Sequence, residues 1–334
     1  MADSTAPESP LEAAAGAAGP HTVDAFKLLS DETRLAILLA LWEAYDPHTG
    51  DTQLSFSTLY DRVSVRDSGT FTYHLDKLVG RFIEEAENGY RLRNSGLKII
   101  RAVIAGSGLD ERELPPNEIP LSCFQCGAVV ELSYTNERLY HTCTACDGHI
   151  GPNSTERAPR GTLLAYDNFN TAGLTDRTPE EVFVAGSIEY HRTLTLLIRG
   201  VCPECSGPVD ESVVVCENHE APPGDLCPTC GTWNEVRVEY VCGVCKNSGS
   251  YPAWVSSFDH PAIVGFYHDH GFDMTFDLDD PDDCGRLWDR LIRTQEVVGR
   301  DPLRVRVTVT EGDDELELTL DETLTVIEVS EASG

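Results

Sequence analysis

Eleven of the twelve cysteines, with one histidine, fall into groups whose spacing suits a metal ion. Cys123 and Cys126 (CFQC) and Cys143 and Cys146 (CTAC) are two Cys-x-x-Cys pairs with sixteen residues between them. Zinc takes soft ligands in a tetrahedron, and two such knuckles supply four thiolates. The intervening VVELSYTNERLYHT reads as strand, turn and strand, which makes this a zinc ribbon. Residues 202–245 then hold Cys202, Cys205, Cys216, His219, Cys227, Cys230, Cys242 and Cys245, enough for two more ions. Sequential pairing would join the first four and the last four. Yet Val209 to Val215 and Glu235 to Val241 read as unbroken strands, and a strand of seven residues spans about 23 Å. The strand lengths therefore favour nested pairing: Cys202, Cys205, Cys242 and Cys245 at the base of a hairpin, and Cys216, His219, Cys227 and Cys230 at its tip. A turn hidden at Asp210-Glu211-Ser212 would restore the sequential alternative. Each set is closed, with no open position for water, so the expectation is three structural zinc ions and no catalytic metal.

The remaining candidates for chemistry carry less. His141 adjoins the second knuckle but is not expected to be a ligand. His260, His268 and His270 have no accompanying HExxH motif. Cys284 is read as a free thiol. No set of residues stands out as a catalytic constellation, and the chain is not expected to be an enzyme.

The chain carries a net charge of -31, with lysine only at 27, 77, 98 and 246. Such composition resembles that of proteins from organisms that keep molar salt in the cytoplasm, where carboxylates maintain solubility against screening. The acid is unevenly spread. Residues 20–105 hold ten Lys and Arg against twelve Asp and Glu, whereas the other 248 residues carry -29. A nucleic-acid-binding segment is expected to be spared in this way. The start, MADSTAPESP, has no basic region or long apolar run, so no secretion signal is read there. LAILLALW is too short to span a bilayer. The protein is expected to be cytoplasmic, without disulfides.

Within the spared segment, Asp67 to Val79 (DSGTFTYHLDKLV) reads as a helix with Phe71, Leu75 and Leu78 on one stripe and Ser68 as cap. Its outer face of Gly69, Thr70, Thr72, Tyr73, Asp76 and Lys77 is small and hydroxyl-rich, suited to a DNA major groove. Helices are also expected over 22–45, with Asp31 capping the second and Leu35, Ile37, Leu38, Leu41 and Trp42 on its buried side, and over Leu54–Val63. Residues 82–93 read as a hairpin wing turning at Asn88-Gly89, with Arg91 and Arg93 on one face. Asn94-Ser95 opens a further helix. Arg66, Ser68, Thr70, Thr72, Tyr73, Lys77, Arg91 and Arg93 are the candidate DNA contacts.

At LLSDETRLAILLALWEA (Leu29, Ser30, Asp31, Arg34, Leu35, Ile37, Leu38) and at His74-Leu75 the sequence resembles the ArsR-like winged helix-turn-helix regulators. The resemblance covers about a quarter of the chain. It implies double-stranded DNA as partner, transcriptional regulation, and a homodimer assembled through the helix after the wing. Metal-sensing relatives carry cysteines before the recognition helix, and residues 20–105 contain none, so metal sensing by that route is not expected. The whole pattern resembles haloarchaeal regulators with zinc ribbons after the DNA-binding domain. A winged helix followed by a ribbon also resembles the archaeal general transcription factor E, whose partner is the transcription machinery. A protein-interaction scaffold and a zinc hydrolase are further alternatives.

The expected fold is multidomain α+β: a disordered tail (1–20), a winged helix-turn-helix (21–113), a zinc ribbon plus helix (114–200), a double-zinc hairpin (201–250), and a small C-terminal α/β domain with an antiparallel meander (251–334). In the third of these regions 114–120 reads as a linker and 155–177 as irregular; Thr178-Pro-Glu-Glu181 opens a helix running to Ile198. A short helix is expected over 258–271, an amphipathic helix over 284–298, and three strands after it.

Overall fold

A computed structural model describes residues 20–49, 52–106, 112–149, 158–167, 169–221, 226–272, 281–291 and 294–332. The expected tail lies outside them, apart from Pro20, which opens the first helix. The chain is α+β and divides into two compact units, residues 1–109 and 110–334.

In the first unit, α1 (Pro20–Leu29) and α2 (Glu32–Glu43) precede α3 (Phe56–Val63) and α4 (Ser68–Leu78). A hairpin, β1 (Ile83–Ala86) and β2 (Gly89–Leu92), leads into α5 (Asn94–Ile104). Asp31 caps α2 as expected, its carboxylate accepting from the Arg34 amide. Leu35, however, is 42% exposed, while Ile37, Leu38 and Leu41 form the buried side. The cap of α4 is Asp67, not Ser68: the Asp67 backbone is extended and its carboxylate accepts from both the amide and the hydroxyl of Thr70. A carboxylate at this position also complements the positive end of the helix.

The hairpin turns at Glu87-Asn88 rather than Asn88-Gly89, because Ala86 pairs with Gly89. Gly89 has a different use. Leu54 pairs with Tyr90 as a bridge beside β2, through Leu54 N–H to Tyr90 O at 3.0 Å and Tyr90 N–H to Leu54 O at 2.9 Å. A Cβ on Gly89 would sit 2.1 Å from the Leu54 carbonyl oxygen. The glycine is thus required by a close backbone approach.

The second unit opens with a four-stranded antiparallel sheet, β3 (Leu114–Ser122), β4 (Val129–Thr135), β5 (Arg138–Cys143) and β6 (Thr162–Tyr166), in sequential order. The expected linker at 114–120 is therefore an edge strand. Pro115 and Pro116 fall where the pairing slips between Leu114 and Asn117, a position at which a missing N–H costs little. The stretch expected to be irregular, 155–177, contains β6, whose five residues are too few to reveal a period. Helix α6 (Pro179–Ile198) begins with the expected capping box between Thr178 and Glu181.

A three-stranded sheet follows: β7 (Val209–Val215), β8 (Val236–Cys242) and β9 (Ser248–Pro252). After a turn of 3-10 helix (Ala253–Ser257) come α7 (Pro261–Asp269) and α8 (Pro281–Leu291). Where a helix was expected to reach residue 298, the chain is already strand from Thr294. The final meander has four strands, β10 (Thr294–Arg300), β11 (Leu303–Glu311), β12 (Asp314–Leu320) and β13 (Val326–Ala332).

These elements share one core that runs from Ile119 in β3 to Leu324 before β13, so the boundaries expected at 200 and 250 fall inside a single unit. Its centre is polar as well as apolar. Trp288 of α8 donates its indole N–H to Ser187 Oγ of α6 at 2.7 Å, and Ser187 donates in turn to the Phe183 carbonyl. Helix α8 lies so close to β3 that a Cβ on Gly285 would be 1.8 Å from the Pro120 carbonyl oxygen.

Candidate functional site: metal centres and an exposed helix

The residues singled out for metal chemistry converge in three groups: Cys123, Cys126, Cys143 and Cys146; Cys202, Cys205, Cys242 and Cys245; and Cys216, His219, Cys227 and Cys230, with donor atoms within 4.8 Å of one another in each. The pairing in 202–245 is nested. Strands β7 and β8 are continuous and in register from Val209–Cys242 to Val215–Val236, which holds the two groups at opposite ends of the hairpin.

The donor sets fit a tetrahedral ion. With a metal–sulfur bond of about 2.3 Å, neighbouring sulfurs in a tetrahedron stand about 3.8 Å apart. The observed pairs are Cys123–Cys146 at 3.7 Å, Cys126–Cys143 at 3.5 Å, and Cys202–Cys245 and Cys205–Cys242 both at 3.6 Å. A disulfide would bring them to about 2.0 Å; all these cysteines are free. In the mixed site, Cys230 Sγ is 3.5 Å from His219 Nδ1, against about 3.5 Å for a shared ion with bonds of about 2.3 and 2.0 Å. His219 Nε2 faces the Trp233 carbonyl at 2.8 Å. Donation to that carbonyl leaves Nδ1 unprotonated and free to ligate, the outer-shell arrangement that fixes a metal-binding histidine.

The local backbone prepares the sulfurs. In the first site, the amides of Ala145 and Cys146 both donate to Cys143 Sγ at 3.4 Å. In the second, the amides of Cys245 and Val244 do the same for Cys242 at 3.5 and 3.4 Å, and hold its thiol down to about 6. Such bonds favour the thiolate, the form that binds metal. The folds of these loops rest on left-handed residues after the knuckles: Gly127, Ser206, Gly231 and Lys246 all have positive φ.

His141 belongs to none of the groups. It is fully buried against Tyr166, Phe183 and Trp288, and burial depresses its pKa to about 3. Nor do His260, His268 and His270 form a group among the described residues. His260 caps α7, and His270 bridges the Phe266 carbonyl and the Asp314 carboxylate at 2.7 and 2.9 Å. Cys284 is buried, and that burial pushes its thiol up to about 11.

In the first unit, Phe71, Leu75 and Leu78 are each fully buried. The opposite face of α4 carries Thr72, Tyr73 and Lys77, all exposed, with Tyr73 at 59%. Lys77 Nζ lies 5.4 Å from the centre of the Tyr73 ring, and Thr72 donates its hydroxyl to the Ser68 carbonyl at 2.8 Å. Arg66, Ser68 and Thr70 are exposed at the start of the helix. His74 Nδ1 is 3.2 Å from an Asp31 carboxylate oxygen, linking α4 to the cap of α2. The two hairpin arginines already have partners: Arg91 pairs with Glu84 across the strands, and Arg93 donates to the Gly80 carbonyl. Their alternation in sequence did not reveal these partners, since Glu84 is brought opposite Arg91 only by the hairpin register.

Fold and site together define an α+β chain with, among the described residues, three four-donor groups that could hold a metal ion in its larger unit, and an exposed helix face in its smaller one. The family model described as "Domain of unknown function (DUF7351)" matches residues 120–326, and the chain belongs to that family. A second model, "Domain of unknown function (DUF7347)", matches residues 22–103. No curated protein and no solved structure matches the chain. No helix among the described residues is long and apolar enough to cross a membrane.

Proposed function

We propose that the chain is a sequence-specific, double-stranded-DNA-binding transcriptional regulator with three structural zinc ions. The observation that carries this reading is α4. One side is sealed into the core by Phe71, Leu75 and Leu78, so Thr72, Tyr73 and Lys77 are held outward on a rigid element. Helix α3, helix α4, the hairpin and the Leu54 bridge are read as a winged helix-turn-helix with α4 as recognition helix. Arg66 supplies an exposed cation beside it. Arg91 must exchange Glu84 for a phosphate, so its contribution is smaller than its sequence position suggests. Exposed Phe26, Leu35, Leu39, Val103 and Ile104 on α1, α2 and α5 support a homodimer in this reading.

Zinc is the ion that thiolate-rich, tetrahedral sets select, and four protein ligands leave it structural rather than catalytic. The test is binding of the intact protein to its genomic target and to scrambled duplexes across a salt series. Tyr73→Ala should erase the preference for the target, a loss of about 1–3 kcal/mol in discrimination. Arg66→Ala should weaken both duplexes alike and flatten the salt slope. An unchanged ratio for Tyr73→Ala would remove α4 from the interface.

A further inference from the structure

The larger unit contains a cavity of about 940 Å³ that the metal centres and the DNA reading leave unexplained. Its size lies within the range of small-molecule sites, about 300–1,000 Å³. Tyr166, Tyr190, Tyr251, Trp254 and Trp288 line it. The Tyr190 ring joins three of the others, with ring centres 5.0 Å from Tyr166, 5.3 Å from Trp288 and 6.2 Å from Tyr251. Such flat apolar surface suits an aromatic ring, and the negative faces of the rings favour a cation over an anion.

One face of α6 brings polar groups into the same space. Glu189, Tyr190, Thr193 and Leu197 follow one another at helical spacing, and all four line the cavity. Tyr190 and Thr193 are only 8% and 7% exposed, and neither hydroxyl has a hydrogen-bond partner among the described residues. The Thr195 hydroxyl on the same helix is sealed inside the protein, whereas these two are not. Burial, with Tyr251 adding to it, pushes the Tyr190 hydroxyl well above the usual phenol range. It therefore stays neutral, with lone pairs to offer. Residues three apart on a helix stand about 5–6 Å from each other at Cβ, so one donor group can reach both hydroxyls.

The charges around the cavity are not balanced. Asp167, Glu189 and Asp289 line it against Arg138 and Arg237. Asp167 pairs with Arg138, and Glu189 accepts from Arg192 at 2.9 Å. Arg237 donates to Ser250 Oγ at 3.0 Å and lies 4.0 Å from Glu239. Asp289 has no ion pair and no hydrogen bond among the described residues, because its neighbour Arg290 holds both oxygens of Glu311 at 2.7 Å. Residues 110–334 as a whole contain 15 Lys and Arg against 41 Asp and Glu, a distribution that repels anions and gathers cations.

We propose that this cavity binds a small aromatic amine in its protonated form, the ring packed among the tyrosines and tryptophans, the ammonium donating to the Tyr190 and Thr193 hydroxyls, and Asp289 supplying the unmatched negative charge. An ammonium has three N–H donors and no acceptor, so it can use both partnerless hydroxyl oxygens at once, and hydrogen bonds from a charged donor are the stronger kind. An alcohol on the same ring offers one donor and no charge. A carboxylate meets the acidic lining with like charge. The lining therefore ranks amine above alcohol, and alcohol above acid. This inference does not rest on the DNA-binding reading.

The experiment is calorimetric titration of the intact metal-loaded protein with two series that vary only the headgroup: phenethylamine, 2-phenylethanol and phenylacetate, and tryptamine, tryptophol and indole-3-acetate. At least one amine should saturate at one per chain, at least tenfold tighter than its alcohol, with its acid weakest. Saturation should persist in 1 M KCl, where diffuse attraction to the acidic surface is screened. Tyr190→Phe and Thr193→Val, which keep the ring and the shape and remove the hydroxyls, should each lose at least tenfold in affinity for the amine and little for the alcohol. Asp289→Asn should weaken the amine and leave the alcohol unchanged. Circular dichroism and metal content matching the parent protein qualify each variant. Should a variant fail to fold, the contrast among headgroups on the parent protein decides alone. Equal binding of amine and alcohol, absence of saturable binding by both amines, loss of that binding in 1 M KCl, or full amine affinity in either folded hydroxyl variant would overturn the proposal.

Discussion

Paired substitutions in the 202–245 hairpin give a sharp test of the metal centres. Nested geometry places Cys205 and Cys242 on one ion and Cys216 on another. Cys205→Ser with Cys242→Ser should then remove one metal equivalent of three, whereas Cys205→Ser with Cys216→Ser should remove two. Sequential pairing predicts the reverse counts. The geometry also fixes the bond length. Sulfur separations of 3.5–3.7 Å imply metal–sulfur distances of about 2.1–2.3 Å in a tetrahedron, close to the value for zinc thiolate. Energetically, a structural zinc ion contributes about 10–16 kcal/mol of binding in small domains. Once one ligand of a site is lost, losing a second from the same site costs little more, while losses at separate sites add. The assay is metal content by elemental analysis after exhaustive dialysis against a weak chelator, with X-ray absorption for the bond length and chemical denaturation for the coupling. Loss of two equivalents in the first double variant and one in the second would refute the nested assignment.

Leu75→Ala should destabilise the first unit by about 2–5 kcal/mol, because Leu75 is fully buried and a cavity would remain; denaturation followed by a probe in that unit checks it. Gly285→Ala should cost about 1–3 kcal/mol or more in the second unit, since the new methyl group would meet the Pro120 carbonyl at 1.8 Å; a melting temperature equal to the parent's would contradict the close packing of α8 on β3. His270→Ala should destabilise more at pH 5.5 than at pH 8.5. The Phe266 carbonyl and the Asp314 carboxylate raise the His270 pKa above its usual value, with Glu311 adding to the effect. The protonated form is therefore favoured in the folded state, and its contribution is present below about pH 6.5 and lost as pH rises through the folded pKa. A penalty that grows with pH would reverse that sign.

Much was legible locally. Cys-x-x-Cys spacing marks metal knuckles because two residues between thiols set the reach of a single loop. The buried stripe of α4 follows from a helical period, and the capping box of α6 from four consecutive residues. Strand length even favoured nested pairing, since an extended chain cannot fold its ends together. What failed locally shows where tertiary context took over. Pro115 and Pro116 look like a linker until β4 supplies the neighbour that makes 114–122 an edge strand. Leu54 lies outside the hairpin in sequence, yet its bridge to Tyr90 is what demands glycine at 89. The charge of Arg91 is open in the sequence and occupied by Glu84 in the hairpin. The cavity is the clearest case. Phe124, His149 and Trp233 come from three separate loops and Tyr190 and Trp288 from two helices, spread over more than half of the larger unit. Short-range pattern decides helices, knuckles and strands because those depend on neighbours along the chain. The cavity and the single core of residues 110–334 depend on which faces meet, and that is settled only when the sheets and helices pack.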